Sequence, residues 1–348
     1  IYLQLESVIK NMITALRAVT ELQNPALRDR HWRQLMEAAK MRFVVDDSTT
    51  LADLLALQLY KIEDEVKTIV DKSVKEMSME KTLTEMALTW ASLEFEYEVH
   101  QRTGCKILKV SEELVEILED NQVQLQNMMS SKFIAHFLGE VSDWQRKLSN
   151  ADQVIHTWME VQRTWMHLES IFIGSEDIRK QLPEDSKRFD RIDKEFRGLL
   201  DDMAKTPNVV KGTNKHGLFE KLEVLKVELT KCEKALAEYL ETKRLTYPRF
   251  YFVSSADLLD ILSNGNQPEL VCKHLPKLYD SIDKLKFVME GNKMTKQARG
   301  MFAKDGEYVE FNNNCDCSGQ VERWLNNVTD SMRTSGRFYF SEAVVTYD

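Results

Sequence analysis

Glycine and proline are scarce in these 348 residues, at 12 and 6, while charged residues make up 30% and are spread along the length. Tight turns and strand ends lean on those two punctuators, so their shortage disfavours an all-β design and favours long helices. No apolar run approaches the roughly 20 residues that a membrane-spanning helix needs. The opening, IYLQLESVIKNMITALRAVTEL, has neither the charged start nor the small-residue cleavage site of a signal peptide. A basic face is missing too: the formal net charge is −9, which points away from nucleic acid and membrane as partners and towards protein. Five cysteines (Cys105, Cys232, Cys272, Cys315, Cys317) are an odd number without a CxxC spacing, and read as reduced thiols. The expectation is an intracellular piece of a longer polypeptide with both ends artificial.

What is present is length and helical pattern. A chain of this size with 43% hydrophobic residues can build two or three cores. Breaks at Asn24-Pro25 and at the turn-and-cap cluster Val45-Asp46-Asp47-Ser48 divide the first hundred residues into helices of about 22, 15 and 40 residues. The third begins near Leu51 and runs towards His100, with a break expected around Met77-Ser78-Met79. Arg102-Thr103-Gly104-Cys105 stops it, and KILKV is a short extended piece before Ser111 opens the next helix. Residues 111–148 contain one Gly and no Pro, and Leu114, Leu118, Leu125, Met128 and Met129 share one face, which predicts a single helix about 55 Å long. Trp158, Val161, Trp165, Leu168 and Phe172 form a stripe at helical spacing, expected to be core. Ser175 caps a short helix, Pro183 begins another, and Leu218, Leu222, Leu225, Leu229, Cys232, Leu236 and Tyr239 alternate as a coiled-coil seam. Within one chain that seam fits an antiparallel helix pair, since three heptads alone are marginal in water.

The last hundred residues change character. Lys286-Phe287-Val288-Met289, Arg299-Gly300-Met301-Phe302 and Tyr308-Val309-Glu310-Phe311 read as strands. Asp305-Gly306 between two of them is a hairpin signal of the type I′ kind, which needs positive φ. A helix follows from Ser318 through Trp324, Leu325, Val328 and Met332. The segment PRFYFVSSADLLDILSNG reads as a structural joint rather than a pocket. Pro248 ends the seam helix, and Phe250 and Phe252 face one way and Tyr251 the other along a short extended turn. Ser254 caps the next helix with Asp257, and Gly265 supplies a left-handed stop.

Motifs for chemistry are wanting. Gly212-Thr213-Asn214-Lys215-His216-Gly217 approaches a phosphate-binding loop but is followed by Leu218 where the lysine should stand. Cys315-Asp316-Cys317 lacks the second ligand pair of a zinc site. The histidines are scattered without HExxH, and GxSxG is absent. No catalytic, cofactor-binding or metal residues are expected.

Long collinear stretches carry a resemblance: LRDRHWRQLM at 27–36, MEKTLTEMALTWASLEFEYE at 79–98, LEDNQVQLQNMMSSKFI at 118–134, VQRTWMHLESIFIGSEDIRKQLPEDSKRFDRID at 161–193, CEKALAEYLETKRLTYPRFYFVSSADLLDILSNGNQP at 232–268 and CSGQVERWLNNV at 317–328. In this order they resemble the linker region of dynein heavy chains, closest to axonemal chains of the outer-arm beta type. The resemblance implies a non-catalytic mechanical lever that couples ATP-driven changes of an AAA+ ring to the tail, for microtubule-based ciliary and flagellar movement. The implied partners are the ring of the same heavy chain, the tail and other dynein subunits, with microtubules reached only through other regions. ATP and Mg²⁺ are implied in the ring, outside this chain, and the implied place is the axoneme of the cytoplasmic cytoskeleton. The expected fold is mainly α, an elongated rod of packed long helices with a small β-hairpin near the C-terminal end. Its sections are an N-terminal helical bundle at 1–104, a long-helix section at 105–247 and a mixed subdomain at 248–348, ending before the ring. Asp305 and Gly306 are the candidate ring contact, set against a hairpin that only caps the core of its subdomain. The alternative is a non-motor helical-bundle scaffold for protein partners.

Overall fold

The computed structural model describes residues 2–41, 49–291 and 293–347. It is mainly α, with a small antiparallel sheet near the C-terminal end, and no helix among the described residues is long and apolar enough to cross a membrane. Helices α1 (Tyr2–Glu21), α2 (Asp29–Ala39), α3 (Leu51–Ala56) and α4 (Glu63–Ser92) precede a two-stranded hairpin of β1 (Glu96–Val99) and β2 (Lys106–Lys109). Next come α5 (Glu112–Met129), α6 (Leu138–Phe172), α7 (Glu176–Gln181), α8 (Pro183–Ala204), α9 (Val209–Thr213) and α10 (Leu218–Thr246). The closing part holds α11 (Ser255–Ser263), α12 (Pro268–Val271), α13 (Leu275–Leu278), the sheet β3 (Ile282–Glu290), β4 (Lys293–Ala303) and β5 (Tyr308–Asp316), and α14 (Val321–Val345). The sections read from the sequence follow changes in its character. By spatial proximity the chain divides into two compact units, Ile1–His156 with Asp202–Leu218, and Thr157–Asp201 with Phe219–Asp348.

In the first unit, α4 runs unbroken through Met77-Ser78-Met79, where a break was expected. Val66, Ile69, Ser73, Glu76, Met79, Leu83, Met86 and Trp90 keep one buried stripe along it, and that stripe outweighs the local serine. The opposite error occurs at 130–137: the single 55 Å helix is two, α5 and α6, separated by a 3-10 turn at Ile134–His136. Ser130 is the capping residue at the end of α5, with its hydroxyl donating back to the carbonyls of Gln126 and Asn127 at 3.3 and 2.9 Å. Strand β1 occupies sequence expected to be helical. Its backbone pairs with β2, Phe95 N–H donates to Pro207 O at 2.9 Å and Tyr97 OH to Met203 O at 3.0 Å, bonds that local sequence does not announce. The turn expected at Val45-Asp46-Asp47-Ser48 lies outside the described residues.

The apolar core of this unit joins Ala18 and Val19 of α1 and Leu22 just after it with Leu35 of α2, Leu57, Leu59, and Val66 and Ile69 of α4. Beside it a buried carboxylate, Glu76, accepts from Arg30 Nε at 2.6 Å and lies 3.0 Å from His31 Nε2. His31 Nδ1 accepts the Arg28 N–H at 3.0 Å, so Nε2 is the protonated nitrogen that donates to Glu76. Asn208 just before α9 caps the end of α4 from its side, donating to the carbonyls of Trp90 and Leu93 at 2.8 and 3.2 Å.

In the second unit the residues of α6, α8 and α10 form an up-down-up bundle. Phe196 lies 5.6 and 5.2 Å from the Trp158 and Trp165 rings, and Phe172 stacks on Phe189 at 5.4 Å, so α8 runs antiparallel to α6. Arg188 and Arg191 of α8 reach Glu228 of α10, and Lys226 of α10 reaches Glu160 of α6. The tryptophan stripe is core, as its spacing predicts, and Leu222, Leu225, Leu229, Cys232 and Leu236 are buried inside this unit. In the closing sheet, β4 and β5 form the hairpin expected around Asp305-Gly306, but its turn is not type I′. Only Gly306 takes positive φ, at 91°; Gly306 N–H donates to Ala303 O at 3.0 Å and Ala303 N–H to Glu307 O at 2.8 Å, a longer loop that bulges at the glycine.

His31 makes this architecture sensitive to acid. Burial, helped by Arg30 and Lys72 and opposed by Glu76, holds its imidazole below the ordinary value. The unfolded chain therefore takes up the proton first as pH falls below about 6.5, and stability is lost through that window. Urea unfolding followed by circular dichroism is expected to show a larger loss between about pH 7.5 and 5.5 for the wild type than for His31→Gln. Equal losses would dissociate His31 from the acid sensitivity.

Candidate mechanical joint

The end of α10 is set by proline geometry. Pro248 has no N–H to continue the helix and pushes Tyr247 into an extended conformation, with φ −134° and ψ 92°. The chain then tightens into a 3-10 helix, Pro248–Phe252, in place of the extended turn read from the sequence. A three-residue turn does not alternate its side chains, so Phe250 and Phe252 part company. Phe250 is fully buried, with its ring edge-on to Tyr247 at 4.9 Å, while Tyr251 and Phe252 are exposed at 53% and 71%. Phe250 alone of the three aromatics is packed as a pin.

Ser254 caps α11 as expected: its oxygen accepts the Asp257 N–H at 3.1 Å and its hydroxyl donates to the Asp257 carboxylate at 2.8 Å. Lys277 bonds Asp257 at 2.8 Å, and Lys277 and Ser254 together hold that carboxyl below its usual range. Gly265 does not take the left-handed conformation. It is needed for proximity: a Cβ here would lie 3.2 Å from Val321 Cβ, and its carbonyl accepts the indole N–H of buried Trp324 at 3.2 Å.

Residues that the sequence did not single out complete the joint. Tyr247 OH donates to Tyr279 OH at 2.8 Å, Tyr279 OH pairs with Thr329 Oγ1 at 2.8 Å, and Thr329 donates to Leu325 O at 2.9 Å. Each hydroxyl gives one proton and the chain ends on a carbonyl, so every buried hydroxyl in it is satisfied. Burial pushes both phenols above their ordinary value, Tyr247 far above it, which keeps them as neutral donors. Lys243, in the last turn of α10, forms a buried ion pair with Glu322 in the first turn of α14 at 2.5 Å. Arg249 donates to Leu278 O at 3.0 Å and lies over the Tyr279 ring at 4.8 Å. The one sequence signal that could have drawn attention to any of these is a cation at a helix C-terminus and an acid at a helix N-terminus, where the helix dipole favours them. Asp305 and Gly306 stand apart at the exposed hairpin tip. The neighbouring Glu307, with Arg249, Tyr279, Met301 and Met332, lines a hollow of about 420 Å³ between the joint and the hairpin base. The arrangement offers position and stiffness, with donors and acceptors consumed internally.

A family model described as Dynein heavy chain, N-terminal region 2, matches residues 1–343. Over the whole chain, 64% of residues are identical to "Dynein beta chain, ciliary" of Tripneustes gratilla and 63% to "Dynein axonemal heavy chain 17" of Mus musculus. Identity to "Dynein beta chain, flagellar outer arm" of Chlamydomonas reinhardtii is 46%. In each case the chain spans 8% of the relative's length.

Deleting the buried pin should be costly. Phe250→Ala is expected to destabilise the second unit by about 3–5 kcal/mol, and Phe252→Ala by less than about 0.5 kcal/mol. Thermal unfolding that ranks the two equally would contradict the geometry.

Proposed function

The chain belongs to the dynein heavy chain family, in its N-terminal region 2, and from that premise we propose that it is the linker of an axonemal dynein. In this role it is a mechanical lever that couples ATP-driven changes of an AAA+ ring in the same heavy chain to the tail, for ciliary and flagellar movement. The observation that carries the reading is the closed polar chain Tyr247–Tyr279–Thr329 with the Lys243–Glu322 pair, which fastens the end of a 29-residue helix to α13 and α14. Force passes along a helix only if its end cannot slip, and dense packing with buried, fully paired polar groups resists slipping. Pro248, Phe250, Tyr251, Phe252, Ser254, Asp257 and Gly265 then belong to a force-passing joint, with Phe250, Ser254, Asp257 and Gly265 as its fastened members and Tyr251 and Phe252 on its surface.

On this reading ATP and Mg²⁺ act in the ring, microtubules are met by other regions of the heavy chain, and the place of action is the axoneme. Tail and further dynein subunits are the remaining partners. Asp305 and Gly306 at the hairpin tip are proposed to meet the ring in one state of the cycle. A non-motor scaffold would share the helices, but the family match over residues 1–343 favours the motor.

Loosening the joint in the full heavy chain should separate fuel use from movement. With Lys243→Met, which leaves Glu322 unpaired, microtubule gliding is expected to slow several-fold while ATP turnover keeps at least about half its rate. Turnover and gliding that fall in proportion, or neither changing, would sink the lever reading. Replacing Asp305-Gly306 with Gly-Ser is expected to slow gliding, and unchanged gliding would remove the ring contact.

A further inference from the structure

We propose that the tip of the β3–β4 ribbon is a docking element for an acidic protein surface that surrounds an apolar groove. Residues 284–296 hold four lysines (Lys284, Lys286, Lys293, Lys296) against one glutamate, in a chain whose net charge is −9. The ribbon outruns its sheet. Strand β5 pairs with β4 only from Gln297 onward, and Cys317 N–H donates to Lys296 O at 2.8 Å at the limit of that pairing. Beyond it, Met289 pairs with Met294 and Glu290 with Lys293 across two strands alone, tied by Thr295 Oγ1 donating to Val288 O at 2.8 Å.

The directly opposed methionines are exposed at 55% and 39%. Among the described residues, none of the four lysines forms an ion pair. Arg299, just inside the sheet, does pair, with Glu310. Lys284 lies 5.2 Å from the Phe302 ring and Lys286 4.5 Å from the Tyr308 ring, so aromatic faces of the sheet locate their charges without neutralising them.

Lysines on an edge strand also deter strand addition, but that role needs no methionine pair. A thioether pair at a projecting tip is suited to apolar surfaces of varied shape, and the surrounding ammonium groups fix the sign of the rim it meets. Lipid and nucleic acid supply the anionic rim too. Neither offers a preformed apolar groove ringed by charge of the kind the exposed methionine pair would enter, so protein is the favoured class. The proposal does not depend on the lever reading.

The test is site-specific cross-linking in the intact heavy chain carrying Met294→p-benzoylphenylalanine, with products mapped by mass spectrometry. The expected products lie in protein segments where Asp and Glu outnumber Lys and Arg, and fall at least about fivefold with Lys286→Glu, Lys293→Glu and Lys296→Glu together. Unchanged melting of that variant shows that the fold survives. Should it melt earlier, the neutral Lys→Gln set replaces it and is expected to give a smaller loss in the same products. Products insensitive to lysine charge, products in segments without acidic excess, or products confined to lipid or nucleic acid would each overturn the proposal, as would none.

Discussion

The hydroxyl of Tyr279 is the point on which the closing part of the structure turns. It accepts from Tyr247 at the end of α10 and pairs with Thr329 inside α14, so three chain segments must arrive together for its hydrogen bonds to be made. A buried hydroxyl that misses a partner costs on the order of 1–3 kcal/mol, and this chain holds three in series. The Lys243–Glu322 pair obeys the same logic with charges. Such pairs add little net stability, because desolvation offsets attraction, but a structure that misplaces one partner is strongly penalised. Polar closure therefore restricts where α14 can sit against α10, while Phe250, Trp324 and their apolar neighbours provide the cohesion.

That division of labour suits the lever role proposed for the chain. The bundle of α6, α8 and α10 is buried and aromatic along Trp158, Trp165, Phe172, Phe189 and Phe196, with ion pairs such as Lys226–Glu160 at its margins. Interiors packed in this way have low compressibility. The joint adds directional bonds where the apolar stripe of α10 runs out, and proline ensures that the helix stops there. Gly265 contributes by what it lacks, since a Cβ at that position would press on Val321 in the first turn of α14 at 3.2 Å.

Much of this was legible in the residues themselves. Periodic burial depends on local geometry, so the tryptophan stripe, the leucine seam of α10, the serine caps at Ser175 and Ser254 and the strands on either side of Asp305-Gly306 could be read directly. The errors occur where local signals balance. FEYEV suits a helix or a strand, and pairing with KILK and hydrogen bonds to Pro207 and Met203 settled it. A helix-compatible run at 130–137 nevertheless turns, while the serine at Ser78 does not break α4, whose buried stripe continues past it through Met79 and Leu83.

The sequence alone determined the mainly helical class, the faces those helices bury, the place where α10 must stop and the family resemblance, because each rests on near neighbours or on long collinear wording. Tertiary structure decided which of the three aromatics after Pro248 is a pin, why Gly265 is glycine, and which hydroxyls and charges meet Tyr279 and Lys243. Those contacts join residues tens of positions apart, Tyr247 with Tyr279 and Lys243 with Glu322. Periodicity cannot see them; only the folded path of the chain brings the groups within bonding distance.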